Sequence, residues 1–378
     1  MPLGLGDRSW HTIQTMQPEH VDNLIIGQGL AGSLLAWELL RRNRRVIVVD
    51  PSPGPSDPGA SRVAGGIVSP LTGRRFTKPA ELESLIGSAV DVYGEIEEAF
   101  RFIVYQECPI WRLLGDDLEW AKLNKRREDP AYQPYIGEVQ GPGEMGHGLA
   151  DPRGSVALRG ARLDLARLLD RLRQFFRDTA RLMEETFDYD GLTLRDGMVH
   201  YRHIRARQVT FCEGFRVLGN PWFHWAPVTP SKGEILTVGI RRELPPGILN
   251  AGKWLIPLGE GRYRLGATYR RGDRDPSPTE AGRRELLAAF RNLFLDPPEV
   301  TVLEHQAGVR PGKTDHYPIL GRHPEQPQLA VFNGLGSRGS LLAPHYARLL
   351  ADHLEKGTPL PEAADARYWY DKRNAVNT

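Results

Sequence analysis

An α/β fold, with a parallel sheet and a second, antiparallel unit interleaved along one chain, follows from three observations. An apolar run, a glycine-rich turn and a helix-period stretch succeed one another between Asn23 and Asp50. Strand-like alternation concentrates instead between residues 225 and 302. At 378 residues the chain also exceeds what one hydrophobic core usually fills, which favours two structural units.

Leu24-Ile25-Ile26 reads as the first strand. The turn Gly27-Gln28-Gly29-Leu30-Ala31-Gly32 follows, then a helix with Leu34, Leu35, Leu39 and Leu40 on one side. Val46-Ile47-Val48-Val49 is β-branched throughout, as suits a strand buried on both faces of a parallel sheet, and it ends in Asp50. Each glycine has its own task. Gly27 makes the tight turn, Gly29 lets backbone approach a pyrophosphate, and Gly32 lets the helix pack close to the strand, while Leu30 and Ala31 open a helix whose amino end faces the phosphates. Asp50 is placed to accept hydrogen bonds from ribose hydroxyls. Strand, turn, helix and acid together predict a Rossmann-type unit that binds FAD or NAD in preference to a 2′-phosphorylated cofactor.

Arg41, Arg42, Arg44 and Arg45 fall at the carboxyl end of that helix, where the dipole favours cations, so they read as a solvated helix end and not as a nucleic-acid patch. Composition agrees. With 49 Lys+Arg against 47 Asp+Glu, 40% apolar residues and a mean hydropathy of −0.41, the chain is neither a disordered tail protein nor a strongly basic nucleic-acid binder. Cys108 and Cys212 have no partner spacing, which excludes a disulfide scaffold and a Cys-rich zinc site and fits a reducing cytoplasm. His200 and His203 lack a third ligand, so no metal is expected. The longest uncharged stretch, Asn23 to Trp37, is too short for a membrane span. Met1 to His20 has no secretory pattern and reads as a loose leader.

After Asp50, Ala60-Ser61-Arg62-Val63-Ala64-Gly65-Gly66-Ile67-Val68 sets small residues around one arginine. Here the chain resembles the D-amino-acid-oxidase-like superfamily of FAD enzymes, in which such a segment lines the pyrophosphate and flavin. Gln208 to Gly214 resembles the strand and glycine that cover the adenosine, with Cys212-Glu213 where the family has two small residues. Ser231-Lys232-Gly233-Glu234 and Trp254 through Thr268 look like the opening strand and central hairpin of the substrate-domain sheet. Ala307-Gly308-Val309-Arg310-Pro311, Asp315 to Gly321 and Gly334-Leu335-Gly336-Ser337-Arg338-Gly339 complete the series, which spans about residues 21 to 355. The nearest likenesses are glycine oxidase and the oxidase half of the bifunctional enzyme that modifies wobble uridine in tRNA.

The resemblance implies FAD held without a covalent bond by Gly27, Gly29, Leu30, Ala31, Gly32, Asp50, Ser61, Arg62, Ala64, Gly65, Gly66, Gly214, Gly334, Gly336, Ser337, Arg338 and Gly339. It implies that Arg310 pairs with a substrate carboxylate, a task to which a planar five-donor fork is suited, and that Trp254 lines the pocket. The implied reaction moves a hydride from the carbon beside an amine to flavin N5; the imine hydrolyses and dioxygen reoxidises the flavin to give hydrogen peroxide. Gly334 to Gly339 opens the last long helix, with Leu341, Leu342, Leu349, Leu350 and Leu354 on its apolar side, and its amino end suits the negative charge that grows at the flavin N1 edge. The expected partner is a small amine or amino acid. A modified tRNA uridine is the alternative substrate, and a flavin-binding sensor without turnover is a third reading.

Gly308 to Thr314 nearly spells a phosphate loop, but only three residues separate its glycines and Pro318 is awkward for a new helix, which argues against a nucleotide triphosphatase, and Lys313 reads as a loop cation. The expected organisation is a discontinuous FAD-binding domain (1–80, 152–224 and 303–378) and a substrate domain (81–151 and 225–302). Leu163 to Phe176 is expected as an amphipathic helix of the former. Residues 81–151 are expected to be helical and then loop-like around Gly137 to Gly148.

Overall fold

The computed structural model describes residues 19–54, 57–315 and 317–376, so the leader read in residues 1–20 falls almost wholly outside them. The first sheet runs in the order Ile319–Arg322, Leu329–Asn333, Ile204–Phe211, Glu19–Ile26, Val46–Val49, Leu182–Met183. Strand Glu19–Ile26 pairs in parallel with Val46–Val49 on one side and Ile204–Phe211 on the other. Ile204–Phe211 pairs in parallel with Leu329–Asn333, and a short hairpin of strands Leu192–Arg195 and Met198–Tyr201 hangs antiparallel from it.

Period-two alternation explains why the apolar runs are continuous. Ile25, Val46 and Val48 face the helix Leu30–Arg41 through Leu34, Leu35 and Leu39. Leu24, Ile26, Ile47 and Val49 face the other way, against Val209, Phe211 and Phe223. All four residues of Val46–Val49 are buried, each contributing about 2 kcal/mol of apolar transfer relative to exposure. The helix Leu165–Asp178 covers one face near the strand ends. Asp164 caps it by accepting from Arg167 N at 3.2 Å, and it buries Leu165, Leu168, Leu169, Leu172, Arg173 and Phe176.

The second sheet has ten strands. Thr229–Ile240 lies at its heart, antiparallel to both Val300–Gly312 and Arg262–Gly266. The sheet continues through Lys253–Gly259 and Ile248–Ala251 to Tyr105–Leu113 and Ser155–Leu163. Membership therefore departs from the expected segmentation in several places. Ser155–Leu163 and Val300–Gly312, expected wholly or largely with the first unit, run in the second sheet. Tyr105–Leu113 is a strand inside a stretch expected to be helical and then looped, because Glu107 and Pro109 break the alternation by which it would be read. Helix Leu82–Phe100, expected with the substrate domain, packs into the first core, where Tyr93 Oη donates to Ser340 O at 2.8 Å on the helix Gly339–Lys356.

Candidate active site

Where the carboxyl ends of Glu19–Ile26 and Ile204–Phe211 meet the glycine-rich face of the second sheet, a cleft of about 480 Å³ opens. Its position at strand carboxyl ends is where open parallel sheets bind ligands. All the residues expected at the cofactor line it except Gly32, Gly334 and Arg338, and Arg310 and Trp254 line it too. Gly32 sits behind the turn. A Cβ there would lie 1.9 Å from Gly27 O and 3.2 Å from Cys212 Cβ, so this glycine permits the close helix packing expected of it. Gly334, at φ +76°, backs onto Ile319 N, and Arg338 immediately precedes the helix Gly339–Lys356 beside Tyr317 and Tyr346, where burial lowers its pKa.

At the phosphate end, Gly27 adopts φ +102° with its backbone against Cys212 O, a conformation and a closeness that exclude a side chain. A Cβ on Gly29 would meet only Ser61 Oγ, at 3.4 Å, so the space over the helix amino end is clear. Ser61 Oγ accepts from Leu30 N at 3.1 Å, and Arg62 pairs with Asp170 while its Nη2 is buried without a partner.

Asp50 is anchored on both oxygens, by Gln28 N and by Arg173 Nη1, each at 2.8 Å. Arg173 also donates to Gln28 Oε1, Asp50 O and Glu184 Oε2. Glu184 is drawn down to about 2 by the Arg177 hydrogen bond first, then by Ser52 and Arg173. Reading the helix as merely amphipathic missed Arg173. Its signal was an arginine on the apolar side, between Leu172 and Phe176.

Glu213, where the family has a small residue, faces the cleft but is occupied by the fold. It accepts from Tyr189 Oη and from Asn220 Nδ2 at 2.8 Å, and burial raises its pKa. Asn220 in turn accepts from the backbone N–H groups of Trp222 and Phe223.

At the other end, Arg310 stands opposite Ser231 on neighbouring strands, and Gly308 stands opposite Gly233. The guanidinium lies over Gly233, where a Cβ would come within 2.0 Å of Nη2. Burial lowers the pKa of Arg310, with Tyr269 opposing, and its Nη1 is buried without a hydrogen-bond partner. Among the described residues no carboxylate pairs with it. Trp254 forms part of the wall, packed against Gly65 and Gly266. Gly336 N donates to Pro311 O at 2.9 Å, tying the helix-opening loop to the arginine strand.

Two further readings resolve. Gly308 to Gly312 is strand, not a loop opening a helix. Lys313, expected as a loop cation, is instead buried: Nζ donates to Ala363 O at 2.9 Å, lies 3.3 Å from Asp315 and stands 4.2 Å over the Trp369 ring. Sequence could not show that the carboxyl-terminal segment folds back over it.

The cleft fits an extended dinucleotide: an open backbone cradle at Gly29, an acid at the second strand's end, and two arginines with unused buried donors at intervals along it. The family model for FAD dependent oxidoreductases matches residues 22–353. The chain belongs to this family. As an FAD-dependent oxidoreductase it is an enzyme, which removes the reading as a scaffold without turnover. It is 29% identical to glycine oxidase of Pseudomonas aeruginosa, over 90% of this chain and 96% of that one. It is 28% identical to the tRNA 5-methylaminomethyl-2-thiouridine biosynthesis bifunctional protein MnmC of Aeromonas hydrophila, over 92% of this chain but 59% of that protein. The crystal structure of glycine oxidase from Geobacillus kaustophilus superposes with a TM-score of 0.77 over 93% of this FAD-dependent oxidoreductase and 98% of that chain, at 23% identity. Among the described residues no helix is long and apolar enough to cross a membrane.

Proposed function

We propose that this enzyme oxidises the C–N bond of a small primary or secondary amino acid, with FAD bound non-covalently along the cleft and dioxygen as electron acceptor. One observation carries the reading: Arg310 is a desolvated cation in the cleft whose Nη1 lacks a partner. A carboxylate supplies what it lacks, through a bidentate, charge-assisted pair.

Bound FAD supplies the hydride acceptor. Gly27, Gly29 and the amino end of helix Leu30–Arg41 would hold its pyrophosphate, Ser61 and Arg62 would flank it, and Asp50 would meet the ribose. Arg310 fixes the substrate through its carboxylate, so catalysis rests on positioning. Gly233 and Gly308 keep the sheet face beneath it bare, and Trp254 walls the site from water. Gly336, Ser337 and Gly339 bring the positive end of a helix dipole to the cleft, where it can stabilise negative charge. Cys212 lines the cleft, but burial pushes its thiol well up, which supports a non-bonded cofactor.

Anaerobic mixing with an amine and amino-acid panel should bleach the flavin with the true donor, and admitting air should restore the colour. Arg310→Ala should raise KM sharply for that donor; an unchanged KM sinks the assignment. The match to MnmC supports a second reading, oxidation of a modified tRNA uridine, for which salt-sensitive retention of tRNA is the test.

A further inference from the structure

A second cavity, of about 220 Å³, opens beside the cleft, and Gly65 lines both. Its charged lining is Arg162, Arg262 and Arg264 against Asp164 alone. Among the described residues no buried acid forms an ion pair with any of the three arginines. Arg162 Nη1 donates to Pro257 O at 2.6 Å and Arg264 Nη1 to Ala64 O at 3.2 Å, both neutral carbonyls. Arg262 lies 3.5 Å from Glu260, whose side chain is 86% exposed. Arg264 Nε is buried with no partner. Asp164 is partly spent as the cap of helix Leu165–Asp178, and Glu304, the next acid on this face, accepts from the Thr237 hydroxyl.

Register places Arg262 and Arg264 on the same sheet face as Arg310. Gly233 and Ile235 line the cleft; Ile235 pairs with Gly266, Thr237 with Arg264 and Gly239 with Arg262. Side chains two apart share a sheet face, so Arg262 and Arg264 project to the face that bears Arg310 and its glycine floor. Arg310 leans over Gly233 while Arg264 stands level with Thr237, four residues along, which is about 13 Å at ~3.3 Å per residue. For guanidinium groups held at that separation, an arginine–carboxylate pair of about 4 Å at each end leaves about 5 Å between two carboxylate carbons.

We propose that the arginine cavity is a second anion subsite of the same active site, and that the substrate is an amino acid carrying a second anionic group at the spacing of a short aminodicarboxylate. The proposal rests on the reading of Arg310 as the first carboxylate's partner. Two guanidinium groups with unused donors then stand at either end of a stretch whose floor is Gly233 and Ile235 and whose wall is Trp254 packed on Gly65 and Gly266, one for each end of the substrate. A monocarboxylic amino acid would leave Arg162 and Arg264 donating only to neutral carbonyls.

The test uses the FAD-loaded enzyme and reads the absorbance of its bound flavin. Titration with succinate and glutarate should show Kd values at least tenfold below that of acetate, and Arg264→Gln and Arg262→Gln should each erode that advantage. Arg262 is exposed, so its variant keeps the test valid where Arg264→Gln fails to fold. Inorganic phosphate is a parallel arm, as is O-phosphoserine in turnover. In turnover, the ratio of kcat/KM for aspartate or iminodiacetate over glycine or sarcosine should exceed one and fall at least tenfold in the variants. If O-phosphoserine leads the panel, the second group is a phosphate and the subsite stands. Equal affinity for acetate and dicarboxylates, or an advantage untouched by both variants, overturns the proposal. If no amine reduces the flavin while dicarboxylates still bind more tightly through these arginines, the oxidase reading fails and the anion subsite survives.

Discussion

Gly233→Ala isolates the position of Arg310 from its presence. The added Cβ would stand 2.0, 2.3 and 2.4 Å from Nη2, Nη1 and Cζ of Arg310, against the ~3.5 Å of an ordinary contact, so the guanidinium must move by more than 1 Å. The strand itself should tolerate the change, because Gly233 is not among the residues at positive φ and the intruded atoms end a flexible side chain. Losing unfolded-chain entropy contributes about 0.4–1 kcal/mol of stabilisation where the backbone is compatible. Function should respond in the opposite direction. A displacement of about 1 Å in a positioning group costs on the order of 100-fold, and loss of a charge-assisted pair worth about 1.5–3 kcal/mol gives about 10- to 100-fold. The assay is kcat/KM for the best amino-acid donor and for the corresponding amine without its carboxylate, with the melting temperature and FAD content measured on the same samples. We expect a melting temperature at or above that of the parent, full FAD loading, and a fall confined to the carboxylate-bearing donor. Parental kcat/KM, or equal losses with both donors, would refute the placement of Arg310 as the carboxylate's partner.

Gly32→Ala sets a Cβ 1.9 Å from Gly27 O and should yield little folded protein, whereas Gly29→Ala meets only Ser61 Oγ and should fold normally yet bind FAD at least tenfold more weakly; melting of the apoprotein and FAD titration separate the two. Arg173→Met removes a side chain 6% exposed from Asp50 and Glu184, which keep some water at 24% and 31%, so denaturant unfolding should show a loss of about 2 kcal/mol, below the 3–5 of a fully buried pair. An unchanged midpoint would show that Asp50 needs no anchor. Burial holds Lys313 down to about 8, so its proton is bound less tightly in the fold than in the unfolded chain, and its contribution to stability should rise as pH climbs from about 8 to ~10.4. Lys313→Met should remove that rise, read as the parent-minus-variant difference in urea midpoint across this range; a flat difference would contradict it.

Local chemistry made the first unit legible. Strand, glycine turn, helix and acid between Leu24 and Asp50 lie within one βαβ unit, and each residue's role depends on neighbours a few positions away. What escaped depends on pairing across the chain. Ser155–Leu163 suits either sheet by pattern, and only its ladder with Tyr105–Leu113 decides. Arg173 looked like one more helical charge until its helix was laid beside Asp50, which lies 123 residues away in sequence. Gly233 was read as part of a likeness, while its physical reason is the arginine on the opposite strand. Glu213 was noticed as a departure, but Tyr189 and Asn220, which occupy it, come from segments that carried no motif.

The central parallel pairing has a consequence for how the chain comes into being. Glu19 lies in register with Ile204, so the first strand's partner is 185 residues downstream and leaves the ribosome about 10–40 s later at ordinary rates of synthesis. Through that interval Val46–Val49 can cover one edge of Glu19–Ile26, while the other edge, all apolar at Leu24-Ile25-Ile26, waits open. An open apolar edge is a template for pairing with the wrong chain. The interval during which that edge is open to mispairing is set by the rate of synthesis, so slower translation after Asp50 lengthens it.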